Sequence, residues 1–237
     1  MELSEISPPW FSTIAFVLNN PKPIPFKKLR TTLPSTSLCY KNRCKTIFHN
    51  ITMTISRGIS QMTTFPNYIT CIQLLLRYST PSNVISHSIQ TAQTALRVAK
   101  RIKAQKISIN CDFILAGALL HDIGRCKSHR IDHGIIGARL IRKEGFPEEV
   151  AKIAENHLFA GITKHEAVKL GLPFQNYLPV TLEEKIITYA DNVSKKEPIL
   201  SIDEIIDRYS KHLIRSHPIL KRVRRLHAEI EVLLNNK

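Results

Sequence analysis

The chain of 237 residues lacks an apolar run long enough to cross a bilayer. A spanning helix needs about 20 consecutive apolar residues. The longest run near the start, Trp10 to Leu18, is interrupted by Ser12 and Thr13 and follows two glutamates. We therefore expect neither a membrane span nor a secretory signal.

Paired cysteines are also absent. The five cysteines are odd in number, scattered, and form no Cys-x-x-Cys motif. This usage is typical of reduced thiols, so we expect a cytoplasmic protein.

Acidic residues are scarce, because 19 Asp and Glu stand against 34 Lys and Arg, a formal charge of +15. Residues 1–61 hold eight bases and two acids, net +6, and residues 62–237 hold 26 and 17, net +9. A basic excess attracts phosphates. Because this excess is diffuse, it permits a nucleic-acid partner without requiring one.

The first part of the chain shows no sustained period of 2 or 3.6. It has prolines at positions 8, 9, 21, 23, 25 and 34 and many Ser and Thr residues. We expect residues 1–61 to form an irregular basic extension with little packed structure. A transit peptide and a basic tether are both open interpretations, and we favour upstream sequence read from an early start codon, with Met53 and Met62 available.

Residues 62–237 show helical patterns instead. One apolar stripe at helical spacing predicts a long helix, and its members are Ile85, Ile89, Ala92, Leu96, Ala99 and Ile102. Asp112 to His121 is apolar on all sides, as in a helix buried within a domain. Gly145 predicts a helix end and Pro147 the next helix start.

Further helix starts are indicated by capping-box spacing, in which Thr163, Thr181 and Ser201 each precede a glutamate by three residues. No strand alternation is present, so the predicted fold is all-α, a helical bundle with a final amphipathic helix from about Pro218 to Leu234. Lys221, Arg222, Arg224 and Arg225 on that helix predict either a solvated face or a nucleic-acid contact.

The buried helix ends in His121-Asp122-Ile123-Gly124. A buried charged pair without partners costs several kcal/mol. Imidazole and carboxylate are both metal ligands, and Gly124 would let the backbone turn away at once. A metal ion and a hydrogen-bonded helix terminus both account for the dipeptide taken alone.

Two distant residues favour the metal. His87 lies about 200° around the long helix from Ile85, at the edge of the apolar arc. Asp191 occupies a similar edge on a helix predicted from Leu182 to Val193. Together with His121 and Asp122 they supply two nitrogen and two oxygen ligands.

This ordered set resembles the HD superfamily of metal-dependent phosphohydrolases. Its pattern of a histidine, a His-Asp pair and a later aspartate is met by His87, His121-Asp122 and Asp191, and the subgroup spelling His-Asp-Ile-Gly is present in full. The resemblance covers about residues 81–194 of the domain at 62–237. It implies a helical HD domain that hydrolyses phosphate bonds with a divalent ion.

His133 and His157 fall between the His-Asp pair and the last aspartate. In two-metal relatives, such as the symmetrical diadenosine-tetraphosphate hydrolases and the cyclic-di-GMP phosphodiesterases, histidines at similar places are ligands of a second ion. The resemblance therefore implies a six-ligand centre holding two ions. The alternative is that His133 and His157 bind no metal and are either exposed to solvent or buried in the core with hydrogen-bond partners.

The cyclic-di-GMP branch matches poorly, because Leu158 follows His157 where that branch has another histidine, and no Gly-Tyr-Pro occurs. The stretches 160–163, 171–173 and 181–185 are more similar to a group of uncharacterised archaeal HD-domain proteins.

Arg125 directly follows the His-Asp-Ile-Gly sequence, and Lys127 comes two residues later. Cations beside a hydrolytic metal bind phosphoryl oxygens and offset charge in the transition state. We expect both to bind substrate, with an ordinary basic loop as the alternative.

The sequence therefore predicts a metal-dependent phosphohydrolase acting on a nucleotide or another small phosphorylated molecule, with no membrane partner. The mixed ligands favour Mn, Fe, Co or Ni, while Mg and Zn also fit. Two alternatives differ in class: a di-iron oxygenase of the same superfamily, and a nucleotide- or RNA-binding regulator whose metal is structural.

Overall fold

The computed structural model describes residues 65–194, 200–211, 215 and 217–235. The predicted extension at 1–61 lies outside the described residues. The described residues form nine α-helices and one 3-10 turn, Ile123–Cys126, and they contain no β-strand. In chain order, the helices are α1 Tyr68–Arg77, α2 Ser82–Lys103, α3 Cys111–Leu120, α4 His133–Lys143, α5 Glu148–Asn156, α6 Lys164–Lys169, α7 Leu182–Val193, α8 Ile202–Ser210 and α9 Pro218–Asn235. The all-α prediction is confirmed.

Helix α3 lies at the centre and packs against α1, α2, α5 and α7. Its apolar sequence fits this position, because it has neighbours on every side. Gly117 brings α3 close to two of them: a Cβ there would lie 2.8 Å from Ile187 on α7 and 3.0 Å from Ile153 on α5. The end of this central helix carries His121 into the interior.

Two predicted capping boxes are present at Thr163–Glu166 and Ser201–Glu204. The third is incomplete. Thr181 caps α7 by accepting from the Glu184 backbone N–H, but the Glu184 carboxylate accepts from Val180 N–H instead of from Thr181. Spacing alone cannot distinguish the two partners, which are neighbours in the chain.

A small second hydrophobic cluster is formed by residues that lie between α5 and α7 in the chain. It consists of Ile162, Ala167, Leu172 and Tyr177. An isolated antiparallel bridge holds it, with backbone hydrogen bonds of 2.8 Å in both directions between Ile162 and Tyr177. The sequence patterns did not indicate this bridge, because one residue pair has no periodicity.

Helix α9 buries the apolar face predicted for it and packs against α2, α7 and α8. Its basic cluster is not uniformly solvated. Arg222 is largely buried and donates to the Gly161 carbonyl at 3.0 Å and to Glu166 at 2.6 Å. Arg224 remains exposed beside Asp203. Among the described residues, no helix is long and apolar enough to cross a membrane.

Candidate metal centre

Six histidine and aspartate side chains from five segments meet beside the end of α3. His87 comes from α2, the His121-Asp122 pair follows α3, His133 begins α4, His157 caps α5, and Asp191 lies on α7. All are buried except His87, whose side chain is 16% exposed. The structure therefore brings together all six residues predicted as ligands.

The first group joins His87, His121 and Asp191. The Nε2 atom of His87 lies 2.8 Å from Asp191 Oδ1, and Nε2 of His121 lies 3.6 Å from the same oxygen. One potential ligand atom from each of the three residues lies within 4.8 Å of the others. This is a group of suitable size and chemistry for one metal ion.

The second group is built around the Asp122 carboxylate. Its Oδ1 lies 3.1 Å from His133 Nε2 and 3.4 Å from His157 Nε2, and these two nitrogens are 3.3 Å apart. His121 Nε2 lies 3.6 Å from the other oxygen, Oδ2. His121, Asp122 and His157 again meet within 4.8 Å, so His121 belongs to both groups.

Three backbone carbonyls orient the imidazoles. The Nδ1 atoms of His121, His133 and His157 lie 2.8, 2.5 and 2.9 Å from the carbonyl oxygens three residues earlier. A carbonyl only accepts, so each Nδ1 carries a hydrogen, and the Nε2 atom of each ring faces the centre, where it can bind a metal ion when the ring is neutral. Such contacts orient metal-ligating histidines in general.

Burial and neighbouring charges set the protonation of the second group. Burial lowers the pKa of His157 to about 4, against the opposing attraction of the nearby Asp122 carboxylate. The pKa of Asp122 lies well below its ordinary value, because His121, His133 and His157 outweigh its burial. At neutral pH a neutral imidazole and a carboxylate are thus available, which are the forms that bind metal.

Within the six-residue cluster, two buried atoms make no hydrogen bond to any described residue: His121 Nε2 and Asp122 Oδ1. Leaving a buried acceptor unsatisfied costs about 1–3 kcal/mol. The nearest groups to Oδ1 are the Nε2 atoms of His133 and His157, which present lone pairs when their rings are neutral. A divalent cation satisfies all of these atoms together, so the residues fit a metal ion.

Glycines explain how His133 reaches the centre. A Cβ at Gly124 would lie 1.9 Å from the His133 carbonyl oxygen, and one at Gly134 would lie 2.6 Å from the Ala154 carbonyl oxygen. The 3-10 turn, the start of α4 and the end of α5 therefore touch backbone to backbone. Gly124 lies in the 3-10 turn that follows α3. It is absent from the described residues with positive φ, so this position requires a glycine for the close approach and not for its backbone conformation.

The two predicted substrate-binding cations differ in placement. Arg125 donates its Nε hydrogen to Asp122 Oδ2 at 2.7 Å and is 24% exposed at the side chain, while its terminal nitrogens make no hydrogen bond to a described residue. Lys127 is exposed, and no hydrogen bond or ion pair joins it to a described residue of the cluster. Arg125 alone is held beside the cluster.

Two residues close to the candidate ligands, Asn192 and Tyr209, were not predicted from the sequence. Asn192 follows Asp191 and is buried, and its amide contacts both the Phe159 carbonyl and the Tyr209 hydroxyl. Burial and the charge of Asp191 raise the pKa of Tyr209 to about 12, so the hydroxyl is a donor at neutral pH. The adjacency of Asn192 to Asp191 was the only sequence signal for it.

The chain is similar to known proteins of one family. The HD domain model matches residues 84–196. An uncharacterised protein of Methanocaldococcus jannaschii, MJ0778, is 42% identical over 160 residues, which cover 68% of this chain and 95% of the relative. The chain belongs to the HD-domain family, and its predicted similarity to uncharacterised archaeal members is confirmed.

Other relatives are longer proteins. The tRNA (cytidine(56)-2'-O)-methyltransferase of Picrophilus torridus is 36% identical over 70% of this chain but only 46% of its own length. Ribonuclease Y of Thermosipho melanesiensis is 29% identical over 63% of this chain and 25% of its own length. Among solved structures, the HD domain of the L. monocytogenes phosphodiesterase PgpH in complex with cyclic-di-AMP has a TM-score of 0.44 and 17% identity, covering 70% of this chain and 98% of that one.

Proposed function

We propose that this protein is a metal-dependent phosphohydrolase that cleaves a phosphate ester or anhydride in a nucleotide or another small phosphorylated molecule. The supporting observation is the cluster of six nitrogen- and oxygen-bearing side chains, which holds two buried atoms without a hydrogen-bond partner among the described residues and has one arginine beside it. The family membership supports the same reaction class.

The first ion would be held by His87, His121, Asp122 and Asp191, and a second by Asp122, His133 and His157. A bound divalent ion makes a water nucleophilic at neutral pH and polarises a phosphoryl oxygen. The nitrogen and carboxylate donors favour Mn, Fe, Co or Ni, and also suit Mg or Zn.

Other residues of the chain would orient the ligands and bind the phosphoryl group of the substrate. The backbone carbonyls behind three of the histidines fix the ring orientations, so little rearrangement is needed when a substrate arrives. Arg125 is anchored through Nε, and its two terminal nitrogens can contact two phosphoryl oxygens and offset their charge. We assign Lys127 a weaker role, as an exposed charge two residues after Arg125 that attracts anionic substrates.

The names of two relatives bear on the substrate. Both the tRNA methyltransferase and ribonuclease Y act on RNA by name, and this chain matches parts of them. RNA therefore belongs among the phosphodiesters to be tested beside nucleotides. A cytoplasmic location fits these substrates.

The test is metal analysis of the purified protein, followed by hydrolysis assays on nucleotides, dinucleoside polyphosphates, aryl phosphates and short RNA. We expect bound transition metal and metal-dependent phosphate release. Asp122→Ala should lose both, because it removes the shared carboxylate, whereas Asp203→Ala, at an exposed aspartate on α8, should keep both. Iron together with substrate-dependent oxygen consumption would favour the oxygenase, and RNA binding without turnover would favour the regulator.

A further inference from the structure

A buried asparagine connects two segments that carry candidate ligands. Asn192 lies on α7, directly after Asp191, and is 3% exposed. Its Nδ2 group donates to the Phe159 carbonyl, in the loop after α5, and its Oδ1 accepts from the Tyr209 hydroxyl on α8. One side chain thus joins three segments of the fold.

The loop end of this connection has an unusual backbone. Phe159 has a φ of 59°, in the left-handed region that residues with a Cβ rarely occupy. Its carbonyl is held by Asn192, and its ring packs edge-on against Tyr209 with centroids 5.0 Å apart. A conformation of this kind persists only where its surroundings determine it. The contacts with Asn192 and Tyr209 supply that constraint, two residues after His157.

The two ends of the connection belong to different ligand groups. Asp191 meets His87 and His121 in one group, and His157 meets His121 and Asp122 in the other. Asn192 is one residue from Asp191, and Phe159 is two residues from His157. The amide therefore forms a short hydrogen-bonded path between the groups, outside the ligands themselves.

We propose that Asn192 and Tyr209 are positioning residues that fix His157 relative to Asp191, so that the centre holds its second ion. This proposal rests on the proposed metal centre. The Tyr209 hydroxyl orients the Asn192 amide, and the amide fixes the loop that follows His157. Ligands held by supporting hydrogen bonds typically lose 10- to 100-fold in metal affinity when the support is removed.

Two variants each break one of these bonds while preserving shape. Tyr209→Phe keeps the ring against Phe159 and removes only the hydroxyl. Asn192→Asp keeps an oxygen for Tyr209 and replaces the amide donor that holds the Phe159 carbonyl. Tyr189→Phe is the matched control, because Tyr189 lies on the same helix as Asn192 and its partly buried hydroxyl donates to Glu231 at 2.6 Å.

The measurement is a calorimetric Mn²⁺ titration of the full-length metal-free protein, with helicity followed by circular dichroism. We expect the wild type and Tyr189→Phe to bind two ions. In Tyr209→Phe and Asn192→Asp the weaker ion should bind about 10- to 100-fold less tightly, while helicity is retained.

Wild-type affinities for every bound ion in both variants would overturn the positioning role and leave the metal centre intact. An equal loss of affinity in Tyr189→Phe would also overturn it, because the effect would then be general. A wild-type protein that binds no ion would overturn the proposed metal centre itself, and the positioning role with it.

Discussion

The Asp122 carboxylate shows how much of the centre depends on single atoms. One of its oxygens faces His133 and His157, and the other faces His121 and Arg125. In the proposed metal centre this carboxylate would be both a ligand and the charge that aligns the other candidate ligands. In that centre Asp122 would influence both metal binding and the placement of Arg125.

Arg125→Ala should separate these two roles. We expect the variant to bind as much metal as the wild type, because all six candidate ligands remain, and to lose about 100-fold in kcat, the usual effect of losing a donor to developing charge. Elemental analysis and steady-state kinetics on the best phosphorylated substrate measure both quantities. Arg224→Ala, which removes an exposed arginine paired with Asp203, should leave both unchanged. Full activity in Arg125→Ala would remove its proposed role.

At the residue scale, the six candidate ligands could be predicted because their residue types and order form a pattern. Asn192 and Tyr209 could not, because their contacts depend on the left-handed backbone of Phe159. Nothing in the local sequence requires that conformation of a phenylalanine. It arises from packing between segments that are distant in the chain.

The 3-10 turn and α4 give an element-scale prediction. Gly124→Ala should destabilise the fold by about 3 kcal/mol or more, because its Cβ would overlap the His133 backbone and a packed core does not absorb such an insertion. Gly145→Ala is the control, since open space surrounds Gly145 and only its φ of 73° is unfavourable, which costs about 1 kcal/mol.

Urea unfolding of both glycine variants gives the two free energies. Gly124→Ala should also bind less metal, because the displaced backbone carries His133. Equal losses of stability in the two variants would show that the close approach at Gly124 is unimportant.

A second element-scale prediction concerns acid stability. Burial opposes ionisation of Glu166, but its hydrogen bonds to Thr163 and Arg222 outweigh this and lower its pKa below the ordinary 4.5. The unfolded chain therefore binds a proton at higher pH than the folded chain does. The stabilisation is present above pH 4.5 and is lost as the pH falls through the folded pKa.

Glu166→Gln should lower the free energy of unfolding at pH 7 by about 1–3 kcal/mol, because Arg222 loses a charged partner. The difference from the wild type should shrink towards pH 3. Thermal unfolding between pH 3 and pH 7 measures this change. Glu204→Gln, in a matching capping box at the exposed start of α8, should cost less. A difference that does not vary with pH would contradict the linkage.

Helix positions were largely predictable, and helix faces were less so. Helix α7 has the predicted bounds, Leu182–Val193, yet it is buried nearly all round, Asn192 included. On α2, Thr91 and Ala95 are buried, whereas Ile89 and Leu96 of the predicted stripe are only partly so. The reason is that α2 packs against both α3 and α7, and small residues allow the closer approach.

On the scale of the whole molecule, the candidate site lies within a limited part of the chain. All six candidate ligands fall between His87 and Asp191, and the first described helix begins at Tyr68. A chain that begins at Met62 should therefore retain the helical circular dichroism, the bound metal and the turnover of the full-length protein. Loss of any of these would show that residues 1–61 contribute to the domain.

Metal binding should stabilise the whole molecule, because the candidate ligands come from five segments that an ion would link. A ligand at 1,000 times its Kd stabilises the folded state by about 4 kcal/mol, and each kcal/mol raises the Tm of a chain of this size by about 2–4 °C. We expect removal of metal by a chelator to lower the Tm by roughly 8–16 °C.

His157→Ala tests how much of this stabilisation belongs to the second ion. We expect about two ions per wild-type chain, as in two-metal hydrolases. Without His157 the count should fall towards one, part of the shift in Tm should be lost, and hydrolysis should fall sharply, because His133 and Asp122 alone hold the second ion poorly. His165→Ala, at an exposed histidine on α6, should keep the wild-type values. Calorimetry of both variants with elemental analysis provides the measurement. A count of one ion, unchanged in His157→Ala and in His133→Ala, would mean that these two histidines serve packing and not metal binding.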